Sequence, residues 1–333
     1  MNFKRFTTDE LAQKIEQGDI VGLSKGITLI ESLLQTDRAQ AEQLLNTLLP
    51  KTGNSVRIGI TGVPGVGKST FIEAFGEYLI KKHHKKVAVL AIDPSSQQTK
   101  GSILGDKTRM EKLSANPNAF IRPSASGTTL GGVANKTRES LLLCEAAGYD
   151  VTIIETVGVG QSETMVKGMT DFFLLLMLPG AGDELQGIKR GIVEMADMLA
   201  INKADGDNKT KAELAKGAYK NALHLLPPHN YGWIPKINTC SATEGLGIDA
   251  IWDTINDYYA TVGKSNIGTI RKSQNADWLN DTLQSRLLED FLQHPRVVSL
   301  MPQLKEEVRL GHIIPSTATQ QLIKLVLVTS ASS

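Results

Sequence analysis

The sequence predicts an α/β fold in which helices cover a mainly parallel β-sheet, with further helical extensions at both ends of the chain. From residue 56 onward, short β-branched runs alternate with longer helical stretches, the pattern of a parallel sheet covered on both faces. Before residue 54 and after residue 263, apolar residues recur at helical spacing instead. The predicted regions are therefore an N-terminal helical region at 1–53, an α/β core at 54–263 and a C-terminal helical arm at 264–333.

The N-terminal region has three groups of apolar residues at helical spacing. Gly18 and Asp37 are predicted to separate these groups, and residues 50–54 form a turn-rich link to the core. The apolar positions are Leu11, Ile15, Leu23, Ile27, Ile30, Leu34, Leu44, Leu45 and Leu48. Three helices are thus expected before the first strand.

The core contains six apolar runs that read as strands, at 56–60, 87–92, 151–154, 172–178, 198–201 and 234–238. In parallel sheets of this kind, ligands bind beyond the carboxyl ends of the strands. Polar motifs should therefore follow the strands, and they do.

The C-terminal arm reads as helices at 278–291, 297–310 and 316–328. A stripe at i, i+4 spacing follows Trp278, and its members are Leu279, Leu283, Leu287 and Phe291. The stripe suits a dimer contact, with packing against the chain's own core as the alternative.

Composition is that of a soluble globular protein, with 41% apolar and 21% charged residues among 333. The net charge of +1 gives no field that favours nucleic acid or an anionic membrane, so neither partner is expected.

The basic run at 81–86 reads as the solvated end of a helix. Cys144 and Cys240 are far apart and lack metal-ligand spacing, so they read as apolar thiols of a cytoplasmic protein. The first residues do not form a secretory signal.

A phosphate-binding loop follows the first strand. Its pattern, G-x-x-x-x-G-K-[ST], lies directly between a strand and a helix, the context that this motif requires. Glycines let backbone N–H groups curl around phosphates, and the helix N-terminus adds positive charge. The lysine reaches the β- and γ-phosphates, and the serine hydroxyl suits Mg²⁺. The residues are Gly62, Val63, Pro64, Gly65, Val66, Gly67, Lys68, Ser69 and Thr70. A P-loop NTPase core is therefore predicted.

Guanine rather than adenine is selected by the tetrapeptide Asn202-Lys203-Ala204-Asp205, which follows the run at 198–201. The carboxylate of Asp205 can accept from N1–H and the 2-amino group of guanine, whereas adenine would leave it unpaired. A second loop follows the next strand, with Ser241, Ala242 and Thr243. Backbone N–H groups there suit guanine O6, so the two loops together predict GTP and GDP as ligands.

Carboxylates at three strand ends or loops are candidate Mg²⁺-region residues, together with Ser69. Glu155 precedes Thr156-Val157-Gly158, the place of a D-x-x-G element with Glu for Asp. Asp93 follows the run at 87–92 and also suits a helix cap, and Asp106 also suits a surface loop. Lys68, Glu155 and Asp93 are the predicted catalytic residues. Since no Gln directly follows Gly158, fast intrinsic hydrolysis is not expected.

Several segments together resemble the MeaB/ArgK family of P-loop GTPases, whose animal member is the methylmalonic aciduria type A protein. The segments are GITGVPGVGKST, AIDPSS, GSILGDKTRM, TLGGVANKTRES, ETVGVGQSE, PGAGDELQGIKRGIVEMAD, NKAD and RVVSLMPQLKEEVRLG. The resemblance covers nearly the whole chain and implies that Ser69, Asp93, Asp106 and Glu155 form the Mg²⁺ region. It also implies that residues 183–189 form an additional mobile loop that couples to a partner enzyme.

The resemblance further implies a function and partners. The expected partner is an adenosylcobalamin-dependent acyl-CoA mutase such as methylmalonyl-CoA mutase, whose cobalamin loading the GTPase gates and which it protects. A homodimer joined through the C-terminal arm is also implied. One alternative is a nickel-insertase-type GTPase, but it would need a Cys/His cluster that Cys144 and Cys240 do not supply. The other is a kinase-like regulator of lysine/arginine/ornithine transport, for which no acceptor site is visible.

Overall fold

The centre of the protein is a twisted parallel sheet. A computed structural model describes residues 6–32, 34–92, 110–123, 130–156, 162–180, 190–223 and 227–327. Within these ranges the sheet has seven strands, all parallel, in the order β3-β2-β4-β1-β5-β6-β7. The strands are β1 Val56–Gly62, β2 Val87–Ile92, β3 Ala119–Pro123, β4 Val151–Thr156, β5 Phe172–Met177, β6 Met198–Ile201 and β7 Lys236–Thr239. The predicted α/β fold class is confirmed.

Two strand predictions need correction, and both concern strands at the sheet edges. The edge strand β3 was not predicted, because its five residues include Arg122 and end in Pro123, which breaks the apolar pattern. At the other edge, β7 begins at Lys236 rather than at Ile234, whose side chain is 59% exposed. Edge strands have one neighbour, so the sequence is less constrained there than in the central strands.

Helices flank the sheet and precede and follow it. Those before and between the strands are α1 Thr8–Glu16, α2 Ile20–Glu31, α3 Gln35–Leu48, α4 Lys68–His83, α5 Glu111–Ser114, α6 Leu130–Ala146, α7 Ser162–Lys167, α8 Arg190–Met195 and α9 Lys209–Leu223. Those after the last strand are α10 Ile248–Val262, α11 Lys264–Gln293, α12 Pro295–Arg309 and α13 Pro315–Leu327. The predicted break at Asp37 is wrong. Asp37 lies in the first turn of α3, where its buried carboxylate accepts a hydrogen bond from Ser32 at 2.6 Å.

The two faces of the sheet are buried under different helices. On β5, Phe173 and Leu175 contact the apolar layer formed by α1, α2, α3 and α6, whereas Phe172 and Leu174 contact the layer formed by α4 and α10. Because both faces are covered, the central strands consist of nearly continuous apolar residues. This arrangement leaves the carboxyl edge of the sheet for polar loops.

The chain divides into two compact units, Met1–Asn275 and Ala276–Ser333. The second unit has its own small core, in which Val297, Leu304, Ala318 and Leu322 from α12 and α13 are buried. The predicted regional boundaries at 53/54 and 263/264 stay predictions. Among the described residues, no helix combines the length and the apolar character needed to cross a bilayer.

Candidate nucleotide site

The phosphate-binding loop connects β1 to α4 as the sequence predicts. Gly62 ends β1, Val63, Pro64, Gly65, Val66 and Gly67 form the loop, and α4 begins at Lys68, with Ser69 and Thr70 in its first turn. Gly67 is the residue before the helix and has φ of +89°, a left-handed conformation that a side chain would strain. A β-carbon at Gly67 would also lie 3.1 Å from the side-chain nitrogen of Asn202. The loop therefore needs glycine at this position.

Lys68 lies folded over this loop. Its Nζ donates hydrogen bonds to the backbone oxygens of Gly62 at 2.9 Å and Val63 at 3.4 Å. Burial lowers the pKa of Lys68 from its ordinary value, and the negative charges of Glu155 and Glu163 partly offset this effect. The ammonium is thus held by the same loop whose N–H groups are predicted to surround the phosphates.

Ser69 and Glu155 lie on neighbouring elements and approach each other. The Ser69 hydroxyl donates to Glu155 Oε1 at 3.4 Å, and Glu155 is buried on β4, directly beside Ile60 of β1. Thr156, the next residue, donates through its hydroxyl to Thr61 at 2.8 Å. The parallel register of β1 and β4 therefore brings a hydroxyl and a carboxylate together at the start of α4.

Asn202, in the first predicted guanine loop, connects the phosphate loop to the second one. It follows β6, its Nδ2 donates to the backbone oxygen of Val66 at 2.9 Å, and its Oδ1 accepts from the N–H of Ala242 at 3.2 Å. Lys203 has a left-handed φ of +59°, and its Nζ donates to the Gly65 oxygen at 2.8 Å. The tetrapeptide therefore packs across the phosphate loop.

The carboxylate of Asp205 is held by two hydroxyl groups. Ser241 Oγ donates to Asp205 Oδ2 at 2.5 Å, and Thr243 Oγ1 lies 3.3 Å from the same oxygen. The N–H of Glu244 donates in turn to Ser241 Oγ at 3.2 Å. One oxygen of Asp205 is thus fixed by protein donors. The other, Oδ1, is the atom with which a base bearing donors can form its own bond.

Comparison with known proteins identifies the family. The family described as methylmalonyl Co-A mutase-associated GTPase MeaB matches residues 23–296 of this chain. The chain belongs to the MeaB family. GTPase ArgK of Escherichia coli K12 is 44% identical over 321 residues, which cover 96% of this chain and 97% of that protein. The mitochondrial methylmalonic aciduria type A homolog of Caenorhabditis elegans is 42% identical over 326 residues, covering 95% of this chain and 82% of the relative.

A solved structure agrees with this membership. The crystal structure of a protein described as an LAO/AO transport system kinase matches with a TM-score of 0.73 and 38% sequence identity. The match covers 98% of this chain and 99% of that chain. The predictions of family, P-loop fold and GTPase activity are therefore confirmed. The individual roles assigned to site residues in this MeaB-family GTPase stay predictions.

The residues at the start of α4 fit a magnesium ion. Mg²⁺ prefers oxygen ligands, and the Ser69 hydroxyl and Glu155 carboxylate supply them within 3.4 Å of each other. When bound, the ion would neutralise charge on the β- and γ-phosphate oxygens. The two other predicted carboxylates, Asp93 and Asp106, lie outside the described residues, as do Gly158 and residues 183–189. In the described part of the chain, no group of three or more His, Cys, Asp and Glu side chains is placed to hold a metal.

Sequence reasoning overlooked Cys240 as a neighbour of the two predicted guanine loops. It lies directly before Ser241, and its thiol is 3.7 Å from Asn202 Oδ1. Burial raises its pKa to about 12, so the thiol stays protonated and can donate to that oxygen. Asn202 Oδ1 thus receives both this donor and the Ala242 N–H. The position of Cys240 at the end of a strand, before Ser-Ala, was the signal in the sequence.

Proposed function

We propose that this GTPase binds GTP with Mg²⁺ at the site described above and hydrolyses it to GDP and phosphate. The supporting observation is the position of Asn202, whose side chain bonds both the phosphate loop and the loop of Ala242. In this proposal Lys68 and the loop N–H groups hold the phosphates, while Ser69 and Glu155 hold the ion. Asp205, with its oxygen set by Ser241, reads N1–H and the 2-amino group of guanine.

We further propose that the partner is an adenosylcobalamin-dependent acyl-CoA mutase of the methylmalonyl-CoA mutase type. The family's description and its relatives related to methylmalonic aciduria support this assignment. The GTPase would gate loading of adenosylcobalamin and protect the mutase from inactivation, and both proteins would share the cytoplasm. Since no Gln follows Gly158, the partner is expected to help position the attacking water.

The test of this partner is GTP turnover with and without the native mutase. Saturating mutase should raise turnover of the wild-type GTPase, and a GTP analogue should change the amount of mutase retained by the immobilised GTPase relative to GDP. A mutase that neither accelerates turnover nor binds in a nucleotide-dependent way would overturn the partner assignment. It would leave the GTPase assignment intact.

We also propose that the second unit forms a homodimer through α11. The side chains of Leu279, Leu283 and Leu287 are 69%, 54% and 61% exposed and lie along one face of that helix. Covering such a stripe with the same stripe of a second copy removes apolar surface from water.

A truncation tests the dimer. Arg271 and Gln274 both contact residues of the first unit, so the chain should be ended after Asn275 rather than before Lys272. The shortened protein should be a monomer by light scattering and still bind GDP, whereas full-length protein should be a dimer. A full-length monomer, or a truncated dimer, would contradict the proposal.

A further inference from the structure

A groove lies at the outer edge of the sheet, between β7 and α9. Its walls are Lys216, Lys220 and Leu223 of α9 and residues 234–238, which include the start of β7. The groove has a volume of about 370 Å³, near the lower end of the range of about 300–1,000 Å³ that is typical of ligand-binding clefts. All of its lining residues belong to the first unit, and they are separate from the nucleotide-site residues described above.

β7 presents one edge of its backbone to this groove. Among the seven described strands it is the last in the sheet, with β6 as its neighbour. The N–H groups of Lys236 and Cys240 donate to the backbone oxygens of Asp197 and Ile201, at 3.3 and 2.8 Å, on the β6 side. Because backbone groups alternate in direction along a strand, the N–H and C=O groups of Ile237 point to the outer side. The outer edge of β7 can therefore accept an additional strand.

The carboxyl end of this edge is covered. A β-carbon at Gly247 would lie 2.5 Å from the backbone oxygen of Thr239, so the loop that leads to α10 packs against the end of β7. The accessible part of the edge is thus short and centred on Ile237.

The wall formed by α9 is positively charged. Lys216 and Lys220 are four residues apart and therefore lie on the same face of the helix. α9 carries four lysines and one glutamate, Glu213, whereas the whole chain has a net charge of +1. Glu213 lies 3.9 Å from Lys216, and in the described part of the chain no carboxylate is paired with Lys220. This wall therefore suits acidic side chains.

The other wall offers an exposed apolar side chain. Exposure alternates as in a strand, with Ile234 and Lys236 exposed and Pro235 and Ile237 buried. Ile237 packs in the apolar layer that includes residues of α9, so Ile234 and Lys236 lie on the opposite side. The Ile234 side chain is 59% exposed, while Lys236 already forms an ion pair with Asp257 at 2.8 Å. This side therefore suits apolar side chains.

Protection of the sheet edge explains only part of this arrangement. Proline and lysine at an edge strand hinder its association with other strands, and Pro235 and Lys236 fit that purpose. Lys216 and Lys220 lie on a helix rather than on the edge strand, so protection of the edge does not explain them. Their position is explained by an acidic segment that lies between α9 and β7.

We propose that this groove binds an extended segment of another protein in which acidic residues alternate with apolar ones. The segment adds as a strand beside β7 and forms backbone hydrogen bonds with Ile237. Its acidic side chains contact Lys216 and Lys220, and its apolar side chains contact Ile234. Side chains of a strand alternate between its two faces, so the alternating pattern matches the two different walls.

Binding of a defined peptide to the full-length, GDP-bound protein tests this groove. The probe is a fluorescein-labelled peptide of alternating glutamate and valine, about eight residues long, and fluorescence anisotropy measures its binding. The peptide should bind saturably with a dissociation constant below about 1 mM. Replacing both lysines of the α9 wall, Lys216→Glu with Lys220→Glu, should weaken binding by about tenfold or more.

The matched control is Lys209→Glu with Lys211→Glu. It makes the same change of charge on exposed positions of the same helix, outside the groove, and should leave peptide binding within about threefold of wild type. Unchanged GDP binding shows that the groove variant is folded. If it does not fold, Lys216→Gln with Lys220→Gln replaces it.

Amide exchange at Ile237 separates strand addition from attraction between charges. In NMR measurements, saturating peptide should slow exchange of the Ile237 N–H by about tenfold or more. Single-stranded oligodeoxythymidylate, a polyanion without peptide groups, should give no such protection.

Four outcomes would overturn the proposal. They are no saturable binding of the peptide, equal weakening by both pairs of substitutions, unchanged exchange at Ile237 in the bound state, and oligodeoxythymidylate binding that is tighter than peptide binding and depends on Lys216 and Lys220. The last outcome would identify a nucleic-acid site instead. The experiment contains no mutase, so its failure is separate from a failure of the proposed partner.

Discussion

Replacing Asp205 by asparagine should convert the base preference of this GTPase from guanine toward xanthine. The structure indicates which atom changes. Ser241 Oγ accepts from the Glu244 N–H and therefore uses its single proton to donate to Asp205 Oδ2, with the Thr243 hydroxyl beside the same oxygen. In the variant these donors select the amide oxygen at that position. The amide nitrogen must then occupy the place of Oδ1.

The size of the effect follows from this orientation. At the place of Oδ1, the 2-amino group of guanine would lose its hydrogen bond to a charged group, about 1.5–3 kcal/mol. Two donors would then face each other, and the unsatisfied donor adds about 1–3 kcal/mol. The sum of about 2.5–6 kcal/mol corresponds to GDP binding weakened by roughly 10²- to 10⁴-fold. The 2-oxo group of xanthine can accept from the new amide, so XDP binding should rise.

Titration with fluorescently labelled GDP and XDP measures both changes. Asp207→Asn makes the same substitution at an exposed carboxylate two residues away and should leave both affinities unchanged. GDP binding by Asp205→Asn that equals wild type would remove Asp205 from the base site. An equal loss for GDP and XDP would show that the variant disturbs the loop rather than the recognition of the base.

Two further predictions concern the phosphates and the buried ion pair. Lys68→Ala removes charge-assisted contacts to two phosphates, which contribute about 1.5–3 kcal/mol each. GTP binding or turnover should therefore fall at least about a hundredfold, while the circular dichroism spectrum stays unchanged. Turnover equal to that of wild type would refute the role of Lys68. Burial opposes ionisation of Glu145, but hydrogen bonds and charge from Arg57, with Ser55 and Gly53, hold the net pKa of Glu145 below its ordinary value. Because the pKa of Glu145 is lower in the folded than in the unfolded protein, its ionisation stabilises the fold at pH values above the unfolded pKa of about 4.3. This stabilisation is lost as the pH falls through the folded pKa. Urea unfolding should therefore show that Glu145→Gln is about 3–5 kcal/mol less stable than wild type at pH 7, because Arg57 is left buried without its partner. The difference in the free energy of unfolding should shrink toward pH 3. A difference independent of pH would contradict this account.

The sequence by itself determined the fold class, the family and the location of the nucleotide motifs. Central strands such as β5 are buried on both faces, so every position must be apolar and the run is visible without any partner. The phosphate-loop motif and the tetrapeptide at 202–205 are equally visible, because each is a short pattern of residue types between or after predicted elements. These constraints act within a few residues of one another.

Only the tertiary structure decided features that depend on contacts between distant parts of the chain. The edge strand β3 depends on pairing with β2, so it does not follow from local periodicity. The contact of Cys240 with Asn202 joins residues at the ends of two strands. Gln274 donates to the backbone oxygen of Thr170, more than a hundred positions before it. Such contacts arise from the register of the sheet and the packing of helices on it, which are global properties with no fixed spacing along the sequence.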